Sequence, residues 1–235
     1  MNTGVFEKAR FRIAGDRGLL VEYGDRIHPD VLHKVRSMAL LLTQETPAGI
    51  LEILPTYRSI LIVYDPLAVT PGALARLLEE MEARLSGIRI PDPKRVEIPV
   101  CYGGDFGPDM DFVAQTHGLE TEDVIRIHSA PEYLIYMVGF TPGFPFLGGL
   151  PEILHTPRLE TPRTRVPEGS VGIANNQTGV YPVASPGGWR IIGRTPLTLF
   201  RPRDPNPFLY QAGDRIRFRP IRETEYHRIR QEESA

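Results

Sequence analysis

Residues 170–193 read SVGIANNQTGVYPVASPGGWRIIG. Three short apolar runs, SVGIAN (170–175), GVYPVA (179–184) and WRIIG (189–193), are separated by Asn, Pro and Gly clusters. Runs this short, punctuated by turn residues, are strands; an amphipathic helix needs about ten residues or more of 3.6-fold periodicity. The pattern extends both ways, to YLIYMV (133–138) and to PLTLF (196–200) and DRIRFRPI (214–221). Many short strands with turn signals between them predict a closed or sandwiched all-β domain. Upstream, VEIPVCY (96–102) reads as a further strand, and DMDFVAQTHG (109–118) and TEDVIRIHS (121–129) as two short helices.

The N-terminal part follows a different rhythm. FRIAGDRGLLVEYG (11–24) reads as two strands around a Gly15-Asp16-Arg17-Gly18 turn, and GILEILPTY (49–57) and SILIVYDP (59–66) as two more. Val31, Val35, Met38 and Leu42 recur at helical spacing, as do Leu74, Leu78, Met81 and Leu85 behind a Thr70 N-cap and Pro71 at the first helical position. Gly87 is the expected end of that second helix. Four strands with two amphipathic helices predict a small sheet carrying both helices on one face. The proline-rich stretch IRIPDPKR (88–95) is the expected linker. The fold class is therefore α+β, with an α+β domain over residues 1–90 and a β domain over 91–235. The polar tail ETEYHRIRQEESA (223–235) is expected to be a frayed helix.

Composition narrows the function. A net charge of −2 on 235 residues offers no basic face for nucleic acid or anionic lipid. No apolar run approaches the roughly 18 residues that span a bilayer, and the single cysteine, Cys101, suits a reducing cytoplasm. Only three of the 27 basic residues are lysines, a bias that genome composition or thermal adaptation explains. Arg158, Arg163, Arg165 and Arg194 nonetheless flank Gly- and Pro-rich segments and are suited to a carboxylate or phosphate. No phosphate loop, dinucleotide fingerprint, metal-ligating histidine spacing or nucleophile elbow occurs, so no metal is expected.

The chemistry is instead concentrated in GFTPGFPFLGGL (139–150) and in 157–196. The first segment, stiffened by Pro and bent by Gly, fits neither a regular helix nor a regular strand. Phe140, Phe144 and Phe146 either plug the barrel mouth or shield a site from water. Asn175 and Gln177 supply paired donors and acceptors suited to a lactam or ureido group, or else form an Asn-rich turn. His128, at a helix end, is a packing residue or a proton carrier.

YLIYMVGFTPGFPFLGGL, RTRVPEGSVGIANNQTGVYPVASPGGWRIIGRTP and IPVCYGGDFGPDMDFVA together resemble the KipI/PxpB family, also called allophanate hydrolase subunit 1, over essentially the whole chain. The resemblance implies a cyclophilin-like β-barrel as the C-terminal domain. It also implies a role as the B subunit of a three-component, ATP-dependent 5-oxoprolinase that opens 5-oxo-L-proline to L-glutamate with subunits A and C, and is inactive alone. ATP would then bind at a site shared with a partner subunit. Arg163, Arg165 or Arg194 would neutralise phosphate or the substrate carboxylate, Asn175 and Gln177 would hold the lactam, and Phe140 and Phe144 would exclude water. Two alternatives accompany it: inhibition of a histidine kinase, as in the KipI branch, or a urea- or allophanate-type amide-processing enzyme.

Overall fold

Ala14 and Gly18 face each other across the Gly15-Asp16-Arg17 turn, joining β1 (Val5–Ala14) to β2 (Gly18–Gly24). The computed structural model describes residues 4–234 and divides into two compact units, one ending at Asp92 and one beginning at Pro93. In the first unit, β3 (Ile50–Pro55) and β4 (Ser59–Tyr64) complete an antiparallel sheet of order β1-β2-β4-β3. Alternate residues Leu19, Val21, Tyr23 and Ile60, Ile62, Tyr64 are buried in one core with apolar positions of α1 (Pro29–Glu45) and α2 (Pro71–Glu82). Period two in the strands and period 3.6 in the helices thus meet on a single face, as the spacing predicts. Thr70 caps α2 by accepting the Ala73 N–H at 3.3 Å. The helix stops at Glu82, earlier than Gly87, because the chain turns there to seat Leu85 in the core within a separate 3-10 turn, Leu85–Gly87.

The second unit is built on a closed seven-stranded barrel. Its strands are β5 (Arg95–Tyr102), β6 (Tyr133–Val138), β7 (Pro145–Gly148), β9 (Ser170–Ala174), β10 (Gln177–Val180), β12 (Arg190–Arg194) and β13 (Arg215–Ile221), in the order β10-β7-β6-β13-β5-β12-β9. Closure removes the unpaired edges that an open sheet would leave. Between the alternatives left by the sequence, the barrel is the one realised. Ile98, Val100, Ile135, Val171, Ile173 and Phe218 fill its interior. α3 (Met110–His117) and α4 (Thr121–Ser129) follow β5, and a separate ribbon pairs β8 (Arg163–Val166) with β11 (Ser185–Gly187).

Four local expectations are corrected. PLTLF is not a strand: after Pro196, which lacks a donor, the chain runs irregularly, and only Phe200 bridges to Phe208. GVYPVA leaves the barrel after Val180, before Pro182. Within GFTPGFPFLGGL, residues Pro145–Gly148 do form a strand, β7, because the flanking β6 and β10 supply its ladder partners. The C-terminal tail is a continuous helix, α5 (Glu223–Ser234). It is held by the buried Tyr226, an Arg230–Glu168 ion pair and the Glu233 carboxylate, which accepts from the Thr198 N–H (2.9 Å) and Arg201 (2.7 Å). Among the described residues, no helix is long and apolar enough to cross a membrane.

Candidate functional site

Trp189 belongs to a second apolar cluster, made with Phe144, Tyr181, Val166, Ala174 and Ile191, which the main barrel core does not include. Inward residues of β9 and β10, such as Ile173 and Val180, belong to the barrel core, so Gly172, Ala174 and Gly179 face the other side of the wall. Glycine lets the rings approach closely there: a Cβ on Gly179 would lie 3.0 Å from the Trp189 ring and 3.1 Å from Phe144. Phe144 meets Trp189, Tyr181, Phe146 and Phe140 edge to face, with centroids 5.0–5.7 Å apart. Phe144 is therefore a buried centre of the cluster. Phe140, 69% exposed, is the ring that faces solvent.

Phe140 holds a left-handed backbone at φ 68°, costly for a bulky residue. Its loop is tied by the Gly139 N–H to Phe144 O at 3.0 Å and by the Tyr210 hydroxyl donating to Gly143 O at 2.8 Å. Beside it opens a cavity of about 440 Å³, lined by Val138, Phe140, Pro142, Phe208 and Tyr210 among others. A second, of about 470 Å³, adjoins it through Phe208, Tyr210 and Gln211.

The arginines diverge. Arg163 donates to Asp109 Oδ1 at 2.9 Å and to the Trp189 carbonyl at 3.4 Å, so it is already engaged by a carboxylate that Arg190 also approaches at 4.0 Å. Arg158 lies over the Trp189 ring at 5.9 Å, and Arg190 over Phe112 at 3.6 Å. Arg165 is exposed on β8. Arg194 is remote from these. It sits directly opposite Ser170 and Cys101, beside Tyr226 of α5, whose phenol burial raises while Arg194 opposes the shift. Cys101 is buried, and its thiol is pushed up by burial and then by Glu223, which fits a packing role.

Asn175 and Gln177 belong to the tight turn between β9 and β10. Asn175 is left-handed (φ 52°) and exposed, and Gln177 pairs with Ala174. The Asn-rich turn is what forms. It sits at the start of β10, whereas the Phe140 loop approaches its end, where Val138 and Pro145 pair; the strand separates them by roughly 10 Å. The expected single cluster of aromatic, amide and arginine groups is thus split between two ends of the barrel.

His128 is the clearest correction. It is fully buried, with Nδ1 2.8 Å from the Tyr102 hydroxyl and Nε2 2.8 Å from Thr178 Oγ1, stacked on Phe218. Burial lowers its pKa to about 3, so the ring is neutral. With both nitrogens engaged inside the barrel, it has none to offer a substrate. Among the described residues, no three His, Cys, Asp or Glu side chains come together to hold a metal.

Asp109, Tyr102 and the Phe208/Tyr210 cavity wall escaped sequence reasoning, as did the pairing of Thr178 with His128. Asp109 alone carried a signal, as a capping-type residue ahead of the apolar run of α3. Its side chain serves the β8 and β12 strands instead, accepting from Arg163 and, at 2.6 Å, from the Ile191 N–H.

Residues 9–210 match the family described as carboxyltransferase domain, subdomain C and D. The chain belongs to this family. Among relatives of this carboxyltransferase-domain chain, a Bacillus subtilis protein named as the B subunit of 5-oxoprolinase is 42% identical over 93% of this chain and 95% of its own. A protein of the same name from Haemophilus influenzae is 50% identical over 67% and 74%. A solved structure of a conserved uncharacterized protein from Pyrococcus horikoshii shares 46% identity with a TM-score of 0.56, covering 92% of this chain and all of that one. The urea carboxylase of Kluyveromyces lactis, 23% identical with a TM-score of 0.76 over 97% of this chain and 24% of that one, shares the fold.

Proposed function

We propose that this chain is the B subunit of an ATP-dependent 5-oxoprolinase, which with subunits A and C converts 5-oxo-L-proline to L-glutamate and is inactive alone. The observation carrying this reading is near end-to-end identity of 42% to a protein named as the B subunit of 5-oxoprolinase. More distant kinship, at 26% identity, to a urea amidolyase of Lachancea kluyveri supports small-amide chemistry. The barrel is read as cyclophilin-like, the two units as domains parting near residue 90, and the chain as cytoplasmic; the closed strand order, the proline-rich linker and the lone cysteine support these readings.

The site is partial. A five-membered lactam needs amide partners for its ring N–H and carbonyl, a cation for its carboxylate and shelter from water. Asn175 and Gln177 offer the amides, and the exposed Arg165 offers the cation. Phe140, held outward beside an apolar cavity at the other end of the barrel, suits contact with a second polypeptide rather than with the lactam itself. The residues present do not fit ATP by themselves: Arg163 is engaged by Asp109, and the glycine-rich stretch before α3 (Gly103, Gly104, Gly107) lacks the Lys-Ser/Thr of a phosphate loop, so ATP is assigned to a site shared with a partner and no step is derived through it.

The test combines this chain with subunits A and C, ATP and 5-oxo-L-proline and measures glutamate. Omission of the chain is expected to abolish turnover, and Arg165→Ala to lower it with the circular dichroism spectrum unchanged. An undiminished rate on omission rejects the reading.

A further inference from the structure

Two histidines grip the Asn175–Gln177 turn in the same way from two helices. His128 of α4 places Nε2 2.8 Å from Thr178 Oγ1, and Thr178 follows Gln177 in β10. His117, the last residue of α3, places Nε2 3.0 Å from Thr156 Oγ1. Thr156 pairs with Asn175, accepting the Asn175 N–H on its carbonyl at 2.7 Å. Both threonines are fully buried.

The proton count fixes the direction of each bond. A threonine hydroxyl has one proton, and a backbone carbonyl can only accept. Thr178 Oγ1 lies 3.0 Å from Gly172 O, and Thr156 Oγ1 lies 2.9 Å from Leu154 O. Each hydroxyl therefore donates to its carbonyl, and each histidine must donate from Nε2. The opposite tautomer would leave two acceptors in contact with no proton between them, in a buried site where an unmade bond is costly. At His128 the assignment also leaves Nδ1 free to accept from the Tyr102 hydroxyl at 2.8 Å, so the whole chain Tyr102–His128–Thr178–Gly172 is satisfied.

We propose that His117 and His128, both as Nε2–H tautomers, are positioning residues that hold the Asn175–Gln177 turn in place through Thr156 and Thr178. The inference rests on the reading above that this turn binds the substrate amide. It gives α3 and α4 a function beyond packing Met110, Val113 and Val124 into the barrel core: they set the angle at which the two amide side chains are presented.

Two measurements test it. Long-range proton–nitrogen correlation on the nitrogen-15-labelled chain at neutral pH is expected to show Nε2–H signatures for both rings; an Nδ1–H signature at either overturns the proposal. In the assembled enzyme, Thr178→Val and Thr156→Val are expected to raise the KM for 5-oxo-L-proline on the order of 10- to 100-fold, with serine at either position restoring it. An unchanged KM in folded valine variants also overturns it. If the wild-type assembly makes no glutamate, the functional reading fails, and hydrogen exchange at the Asn175 amide decides the positioning claim. Faster exchange in Thr156→Val, restored by serine, supports it, and unaltered exchange rejects it.

Discussion

Asp109 and Arg163 form the pair on which the ribbon side of the barrel turns: Arg163 Nη2 meets Asp109 Oδ1 at 2.9 Å, while Oδ2 takes the Ile191 N–H at 2.6 Å. One buried carboxylate so ties the start of α3 to β8 and β12 at once. The arrangement also withdraws Arg163 from anion binding and leaves Arg165 as the available cation on the same strand.

Removing that carboxylate strands a partly buried guanidinium and orphans a buried amide. Asp109→Ala is expected to destabilise the protein by about 3 kcal/mol in urea titration. Asp109→Asn, which keeps an acceptor for Ile191, is expected to lose less.

Two of the three phenylalanines of the Gly/Pro ribbon, Phe140 and Phe144, should separate cleanly. Phe144→Ala opens a cavity among four aromatic rings and is expected to cost about 3–5 kcal/mol. Phe140→Ala, at an exposed position, should leave the melting temperature nearly unchanged yet weaken binding to the partner subunits by about 2 kcal/mol, measured calorimetrically. Phe140→Gly should raise stability by about 1 kcal/mol because it relieves the left-handed backbone.

His128 makes stability depend on pH. Its folded pKa of about 3 lies below its ordinary value of 6.5, so the unfolded chain takes up the proton first as pH falls. The full stabilising effect is present above pH 6.5 and is lost progressively toward pH 3, at about 1.4 kcal/mol per pH unit. Chemical denaturation at successive pH values should show this slope in the wild type and a shallower one in His128→Gln.

Gly187 lies against the Tyr181 side chain, and a Cβ there would overlap the phenol oxygen and lie 2.9 Å from the ring. Gly187→Ala is expected to cost about 1–3 kcal/mol and to shift the Trp189 fluorescence, since Tyr181 and Trp189 are in edge contact.

Much of the fold was legible because local signals agree with it. The α4 segment and β6 fall on the residues that their patterns mark, and the helical spacing of Val31, Val35, Met38 and Leu42 and of Leu74, Leu78 and Met81 marks the faces that pack on the sheet. PLTLF misled because apolar content without a ladder partner does not make a strand, while β7 was hidden because its neighbours, not its own Gly- and Pro-rich sequence, impose extension. The site was less legible. His128 and Thr178 are fifty positions apart and meet only once the barrel closes. Asn175 and Phe140 both lie in unusual segments, but nothing in their spacing reveals that β10 holds them at opposite ends.

The most direct test is a titration of this chain into fixed amounts of subunits A and C with ATP and 5-oxo-L-proline, following glutamate release. The rate should climb from zero and level off at one equivalent of the chain. Glutamate formation at full rate before any is added, or no formation at any ratio, would contradict the assignment.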